Sequence, residues 1–188
     1  KQRFIAGNEG ALYACKELTP KIIVGNDINK WHAAIEASAL QHAQQNRAVL
    51  IICRFIRQAH DLEERLSQHY ARSKIFSYTG KNRFTKEKVY PGEIVIATNI
   101  AGRGTDLTPD DVVEQHGGLH VCITFLPQSY RVELQNAGRT ARKGNKGTAQ
   151  LILHQPEAIT IEELRQQRDK REAEGLRKAI EEVERMTF

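Results

Sequence analysis

Six short apolar runs, separated by stretches of helical periodicity, restrict this chain to a layered α/β architecture. The runs are Lys21–Val24 (KIIV), Ala48–Cys53 (AVLIIC), Lys74–Tyr78 (KIFSY), Glu93–Thr98 (EIVIAT), Leu119–Phe125 (LHVCITF) and Thr148–Leu153 (TAQLIL). Several are apolar almost throughout, as strands covered on both faces of a parallel sheet must be. Helical stretches fall between them at Trp31–Gln45, Arg57–Tyr70 and Ser129–Lys143. Strand–helix–strand units of that length imply right-handed crossovers. The expected fold is α/β, a doubly wound and mainly parallel sheet over residues 1–155, followed by a charged helical extension over 156–188. In such sheets ligands sit beyond the carboxyl ends of the strands, so the loops there are where chemistry is sought.

Charge narrows the partners only slightly. The formal net charge of +5 suits phosphate groups, nucleic acid or an acidic membrane surface without choosing among them. Cys15, Cys53 and Cys122 lie far apart and form no CxxC pair, so no zinc spacing is present. Cys53 and Cys122 sit inside apolar runs and are expected to be inert thiols in a reducing compartment. No apolar run is long enough to span a membrane, and the start, KQRFIAGNEG, has no apolar signal region. His116 and His120 flank two glycines without a third ligand nearby, so both are read as ordinary loop and strand residues and no metal site is expected. Trp31 is read as core, and the stretch KNRFTKEK (81–88) as a solvated loop. In the extension, Leu176, Ile180 and Val183 form one narrow apolar stripe on an otherwise charged helix. That stripe fits either a solvated helix or one that docks elsewhere.

Two segments carry chemistry. In IVIATNIAGRGTDL (94–107), a buried strand ends at Thr98 and runs into a loop holding Gly102, Arg103, Gly104, Thr105 and Asp106. Glycines at that place let backbone approach a ligand closely, while a cation, a hydroxyl and a carboxylate project from one loop. In QNAGRTARKG (135–144), Gln135, Arg139 and Arg142 fall at i, i+4 and i+7, which on a continuous helix gives them a common face. Paired arginines can stabilise charge on a transferring phosphoryl group with bidentate geometry that lysine lacks. Both segments follow consecutive strands and are expected along one rim of the sheet. Neither a GxxxxGK[ST] phosphate loop nor a D-E-x-D magnesium-binding stretch occurs in the 188 residues. The chain therefore reads as half of a composite nucleotide site.

At these residues the sequence resembles the SecA family, the motor ATPases of protein translocation within helicase superfamily 2. ATNIAGRGTDL (97–107) is similar to that family's motif V, GGLHV (117–121) to the strand that follows it, and SYRVELQNAGRTARKGNKG (129–147) to motif VI. RAVLIICRFIRQAHDLEERL (47–66) resembles motif IV. The resemblance implies a RecA-like lobe, the second nucleotide-binding lobe of an ATPase. Asp106 and Arg103 would contact nucleotide within the Gly102–Gly104–Thr105 loop, Arg139 and Arg142 would act as arginine fingers, and Gln135 would orient groups in the same cleft. ATP would be the cofactor, with Mg2+ held by a first lobe lying elsewhere in the parent protein. The isolated chain would be inactive. Implied partners are that first lobe, unfolded polypeptide and a membrane channel, in a cytoplasmic or peripheral-membrane setting. The alternative is the C-terminal lobe of an RNA or DNA helicase; a third reading is a non-catalytic interaction module. Alanine at 137 and 141, where the family usually has arginine and glycine, Asn145, and CITFLPQSY (122–130) mark a divergent member.

Overall fold

The computed structural model describes residues 15–79, 86–98, 107–141 and 144–186. Strand β1 (Cys15–Val24) leads to helix α1 (Ile28–Gln44), β2 (Val49–Cys53) to α2 (Ile56–His69), and a 3-10 turn at Arg72–Lys74 to β3 (Ile75–Tyr78). Next come β4 (Lys88–Val89), β5 (Ile94–Thr98), β6 (Thr108–Pro109), α3 (Asp111–Gln115) and β7 (Leu119–Ile123). Helix α4 (Tyr130–Ala137), β8 (Gly147–Gln155) and α5 (Ile161–Met186) complete the described chain. Six strands form one sheet in the order β1-β8-β7-β2-β5-β3, and each neighbouring pair is parallel. These are the six apolar runs of the sequence. The two-residue strands β4 and β6 form a separate parallel pair.

Successive side chains of a strand point to opposite faces, and here each face is covered. Val49, Ile51, Cys53, Ile94 and Ile96 form one core cluster with Ile35 and Ala39 of α1 and Leu62 and Leu66 of α2. Leu50, Ile52, Val95, Val121 and Leu151 form the other, with Val113 of α3, Ala137 of α4 and Ile161 and Leu164 of α5. Two-sided cover explains why alternation is absent from the strand sequences. Helix α1 buries Ile35, Ala39 and Ala43, one turn apart, and starts where the Asp27 carboxylate accepts from the Asn29 amide at 3.0 Å. Cys53 and Cys122 are buried free thiols, and burial pushes the Cys53 thiol up to about 12 and raises Cys122 as well.

The charged extension changes character along its length. Its start is a capping box: the Thr160 hydroxyl accepts from the Glu163 amide at 3.2 Å, and the Glu163 carboxylate accepts from the Thr160 amide at 2.9 Å. Ile161 and Leu164 then join the core, whereas Leu176 and Val183 are about two-thirds exposed. The first turns of α5 are therefore packed rather than solvated. Lys86 also departs from the solvated-loop expectation: it is paired with Glu93 at 2.9 Å and lies 4.1 Å from the Phe76 ring centre. The rest of that stretch, 80–85, lies outside the described residues.

A buried polar network holds the amino ends of β2, β7 and β8. The Arg47 guanidinium, 6 % exposed, donates to the Gly118 carbonyl (2.9 Å), to Thr148 Oγ1 (2.6 Å) and to His42 Nδ1 (3.0 Å). The His42 and His120 rings stack with centres 3.7 Å apart, and His120 bonds to Thr148 and Ser38. Desolvation, then the Arg47 charge, lowers His42 from 6.5 to about 4; desolvation, then His42 and Arg47, lowers His120 further. Between those values the unfolded chain binds more protons than the folded one, so this contribution is fully present above about pH 6.5 and is lost as pH falls towards 4. Allowing for screening at the half-buried His42, the loss is roughly 2 kcal/mol. Thermal unfolding followed from pH 6.5 to 5, above the usual carboxylate range, should show a falling midpoint. A midpoint constant across that window would contradict the network's neutral state.

Candidate functional site

Only part of the expected site falls within the described residues. Gly102, Arg103, Gly104, Thr105, Asp106 and Arg142 lie outside them, while Thr98, Gln135 and Arg139 lie inside. Thr98 closes β5 and is buried. Helix α4 (Tyr130–Ala137) is capped by Ser129, whose hydroxyl accepts from the Val132 amide at 3.3 Å. It is far shorter than the expected Ser129–Lys143 helix. Gln135 is exposed on its last turn, and Arg139 stands beyond it.

The helical face expected to carry Gln135 and Arg139 together is thus replaced by a tight turn, while Arg142 lies outside the described residues. Gly138 caps the helix, its amide donating to the Leu134 carbonyl at 2.8 Å. The Thr140 hydroxyl then donates to the Leu119 carbonyl at 2.5 Å. Ala141 adopts φ 55°, a left-handed conformation that no continuing helix includes and that costs a residue with a Cβ about 1–2 kcal/mol. Gly147 lies so close that a Cβ there would sit 1.9 Å from Thr140 Oγ1. Arg139 is half-buried in this fixed turn, and burial lowers its pKa from the usual arginine value. It keeps its charge regardless. The result is a cation held in place rather than one on a solvated helix.

The arginine turn does not lie at the carboxyl rim where β5 ends, and residues 99–106 lie outside the described residues. Thr98 marks the carboxyl end of β5, whereas Thr140 is bonded to Leu119, the first residue of β7, at the opposite end of the sheet. Helix α4 returns antiparallel to the strands and so carries Arg139 to their amino ends. The chain that leaves at Thr98 re-enters the described structure at Leu107, and the Thr108 amide bonds to the Glu87 carbonyl at 2.8 Å. That contact adjoins the separate β4–β6 pair. Leu107, next to Asp106, and Ala137, two before Arg139, belong to one core cluster.

The carboxyl rim holds a different feature, a cleft of about 1080 Å³. Arg54, Phe55 and Arg57 after β2, Phe125 after β7, Trp31 of α1 and Arg168 of α5 line it; neither Gln135 nor Arg139 does. Trp31 is half-buried, and its indole donates to the Ile152 carbonyl at 2.8 Å. Sequence reasoning passed over this cleft, although RFIR directly after AVLIIC places two arginines around a phenylalanine at a strand's carboxyl end. It also passed over Glu133, a fully buried carboxylate of α4 gripped by Arg165 and Arg168. His116 ends α3 and His120 is buried in β7, and among the described residues no group of three His, Cys, Asp or Glu is placed to hold a metal ion.

Known proteins resemble this chain in sequence and in fold. The helicase conserved C-terminal domain family matches residues 29–144. Protein translocase subunit SecA 3 of Magnetococcus marinus is 34% identical over 137 residues, which cover 69% of this chain and 21% of that protein. Protein translocase subunit SecA of Chlamydia abortus is 33% identical over 129 residues, 66% of this chain and 13% of that protein. The chain spans about a fifth or less of the length of these relatives. Among solved structures, the Escherichia coli DEAD-box protein SrmB, bound to regulator of ribonuclease activity A, aligns with a TM-score of 0.54 at 22% identity, covering 74% of this chain and 79% of that one. Domain 2 of the Mss116p DEAD-box helicase, bound to an RNA duplex, aligns at 0.53 and 17% identity, covering 78% and 66%. Those two likenesses establish the RecA-like fold.

Proposed function

Because the chain belongs to the helicase conserved C-terminal domain family, in its SecA-like form, we propose that it is the second nucleotide-binding lobe of a protein-translocating ATPase. Residues 1–155 form the lobe and 156–188 a helical extension. The observation that carries this reading is Arg139, a half-buried guanidinium fixed in a turn between Gly138 and the Thr140 anchor. A positioned, partly desolvated arginine is suited to stabilise charge that develops on a phosphoryl group. Its chemistry fits the outer phosphates of ATP, while the 188 residues contain no GxxxxGK[ST] loop to grip them. A first lobe of the same protein supplies that loop and the carboxylates for Mg2+.

In this reading Arg139 and Arg142 act as arginine fingers, and Gln135 orients groups beside them. Asp106 and Arg103 contact nucleotide, with Gly102, Gly104 and Thr105 allowing close backbone approach. Binding of ATP would close the two lobes, and transfer of its terminal phosphoryl group to water would reopen them. The mechanical substrate is unfolded polypeptide, and the setting is the cytoplasm or the membrane surface beside a channel. No described helix is long and apolar enough to cross a membrane. The helicase alternative rests on likeness of fold alone.

ATP turnover separates the readings. The 188-residue chain by itself should hydrolyse no ATP above background. The full-length protein should be stimulated several-fold by an unfolded polypeptide and left unchanged by single-stranded RNA. Stimulation by RNA alone would replace the translocase reading with the helicase one.

A further inference from the structure

The Glu133 carboxylate is fully buried on α4, and both of its oxygens are taken by α5. Arg165 Nε donates to Oε1 at 3.1 Å, joined there by Arg165 Nη2, and Arg168 Nη1 donates to Oε2 at 2.5 Å. Arg168, 7 % exposed, also donates from Nε to Asp169 at 2.7 Å. Three charged groups out of water are a poor way to gain stability, since well-packed apolar side chains in their place usually serve as well or better. What such a triad supplies is one orientation: the planar guanidinium groups accept the carboxylate in few geometries.

The geometry points to Glu133 as a positioning residue that sets the arginine turn relative to α5. Helix α4 is eight residues long, about 12 Å. The triad fixes its first turn, and the Thr140–Leu119 bond fixes the segment just past its last. Arg139 lies between those two anchors. Arg168 meanwhile lines the cleft at the carboxyl rim. One carboxylate thus joins α5, the wall of the cleft and the rod that carries Arg139. Movement of α5 reaches the arginine turn through Glu133. The importance of that link for catalysis rests on the arginine-finger reading; the mechanical link does not.

Glu133→Gln leaves the buried Arg168 and the partly buried Arg165 short of a counter-charge and is expected to lower stability, so the decisive variant is Glu133→Met/Arg165→Met/Arg168→Met, which keeps volume and removes every charge of the triad. In the 188-residue chain, amide exchange of residues 138–141 should quicken about tenfold or more while the melting temperature and the protection of Ile51–Cys53 stay as in wild type. Unaltered exchange in the turn would overturn the proposal, as would a uniform loss of protection with a falling melting temperature. In the full-length protein the triple variant should lower kcat about tenfold with KM for ATP unchanged, and should add nothing in an Arg139→Ala background. An equal loss in that background would mean that the triad does not act through Arg139. If Arg139→Ala alone leaves turnover intact, the finger reading falls, and the exchange measurement still decides the mechanical link.

Discussion

Gly118→Ala is expected to lower the melting temperature by roughly 4–20 °C. Gly118 has φ +73°, and a Cβ built there would lie 1.8 Å from the Lys146 carbonyl oxygen and 2.5 Å from its carbon. Both are backbone atoms at the entry to β8, so no rotamer change relieves the clash. The Gly118 carbonyl also accepts from Arg47, and its amide donates to Val113. A shift at this point would therefore disturb the buried Arg47 network and the join between α3 and β7 together. Left-handed backbone costs about 1–2 kcal/mol and overpacking about 1–3 kcal/mol more, for a total of roughly 2–5 kcal/mol. Gly175→Ala is the control: that glycine is in the exposed part of α5 with nothing near its missing Cβ, and the change should stabilise by up to about 1 kcal/mol. Circular dichroism melts of the two variants should move in opposite directions, and a Gly118→Ala midpoint equal to wild type would remove the close approach as a constraint.

The sheet was legible because its strands are buried on both sides. Runs such as AVLIIC and EIVIAT have no polar face to show, and each became a central strand with its ends displaced by a residue or so. The length of α4 was not legible. SYRVELQNAGRTARK keeps helical spacing throughout, but Gly138 as a cap and the left-handed Ala141 are decided by contacts with Leu119 and Gly147, about twenty and six residues away. The family's usual glycine at position 141 was the available signal, since glycine occupies that conformation without a Cβ penalty. The place of Arg139 was missed for the same reason: strand order and direction do not say that α4 delivers its last residues to the amino end of the sheet. Glu133 was hidden because its partners are 32 and 35 residues away, in a segment whose composition suggested solvent. The β4–β6 pair was too short for any periodicity.

The largest functional effect is expected at the arginine turn. Arg139→Ala in the full-length protein should lower ATP turnover by roughly 10³-fold or more, as removal of an arginine finger does, equivalent to about 4 kcal/mol of lost transition-state stabilisation. Binding of ATP should change little, because in the proposed arrangement the groups that grip the phosphates belong to the other lobe. Arg139→Lys should restore little, since lysine keeps the charge but loses the planar pair of donors. Arg142→Ala should act in the same direction. Stability is a fair control: Arg139 is only half-buried, so the variant should melt within a few degrees of wild type. The most direct measurement is single-turnover hydrolysis of bound ATP by full-length Arg139→Ala, with nucleotide affinity measured on the same sample. The account predicts ATP that binds and is not cleaved; cleavage at the wild-type rate would contradict it.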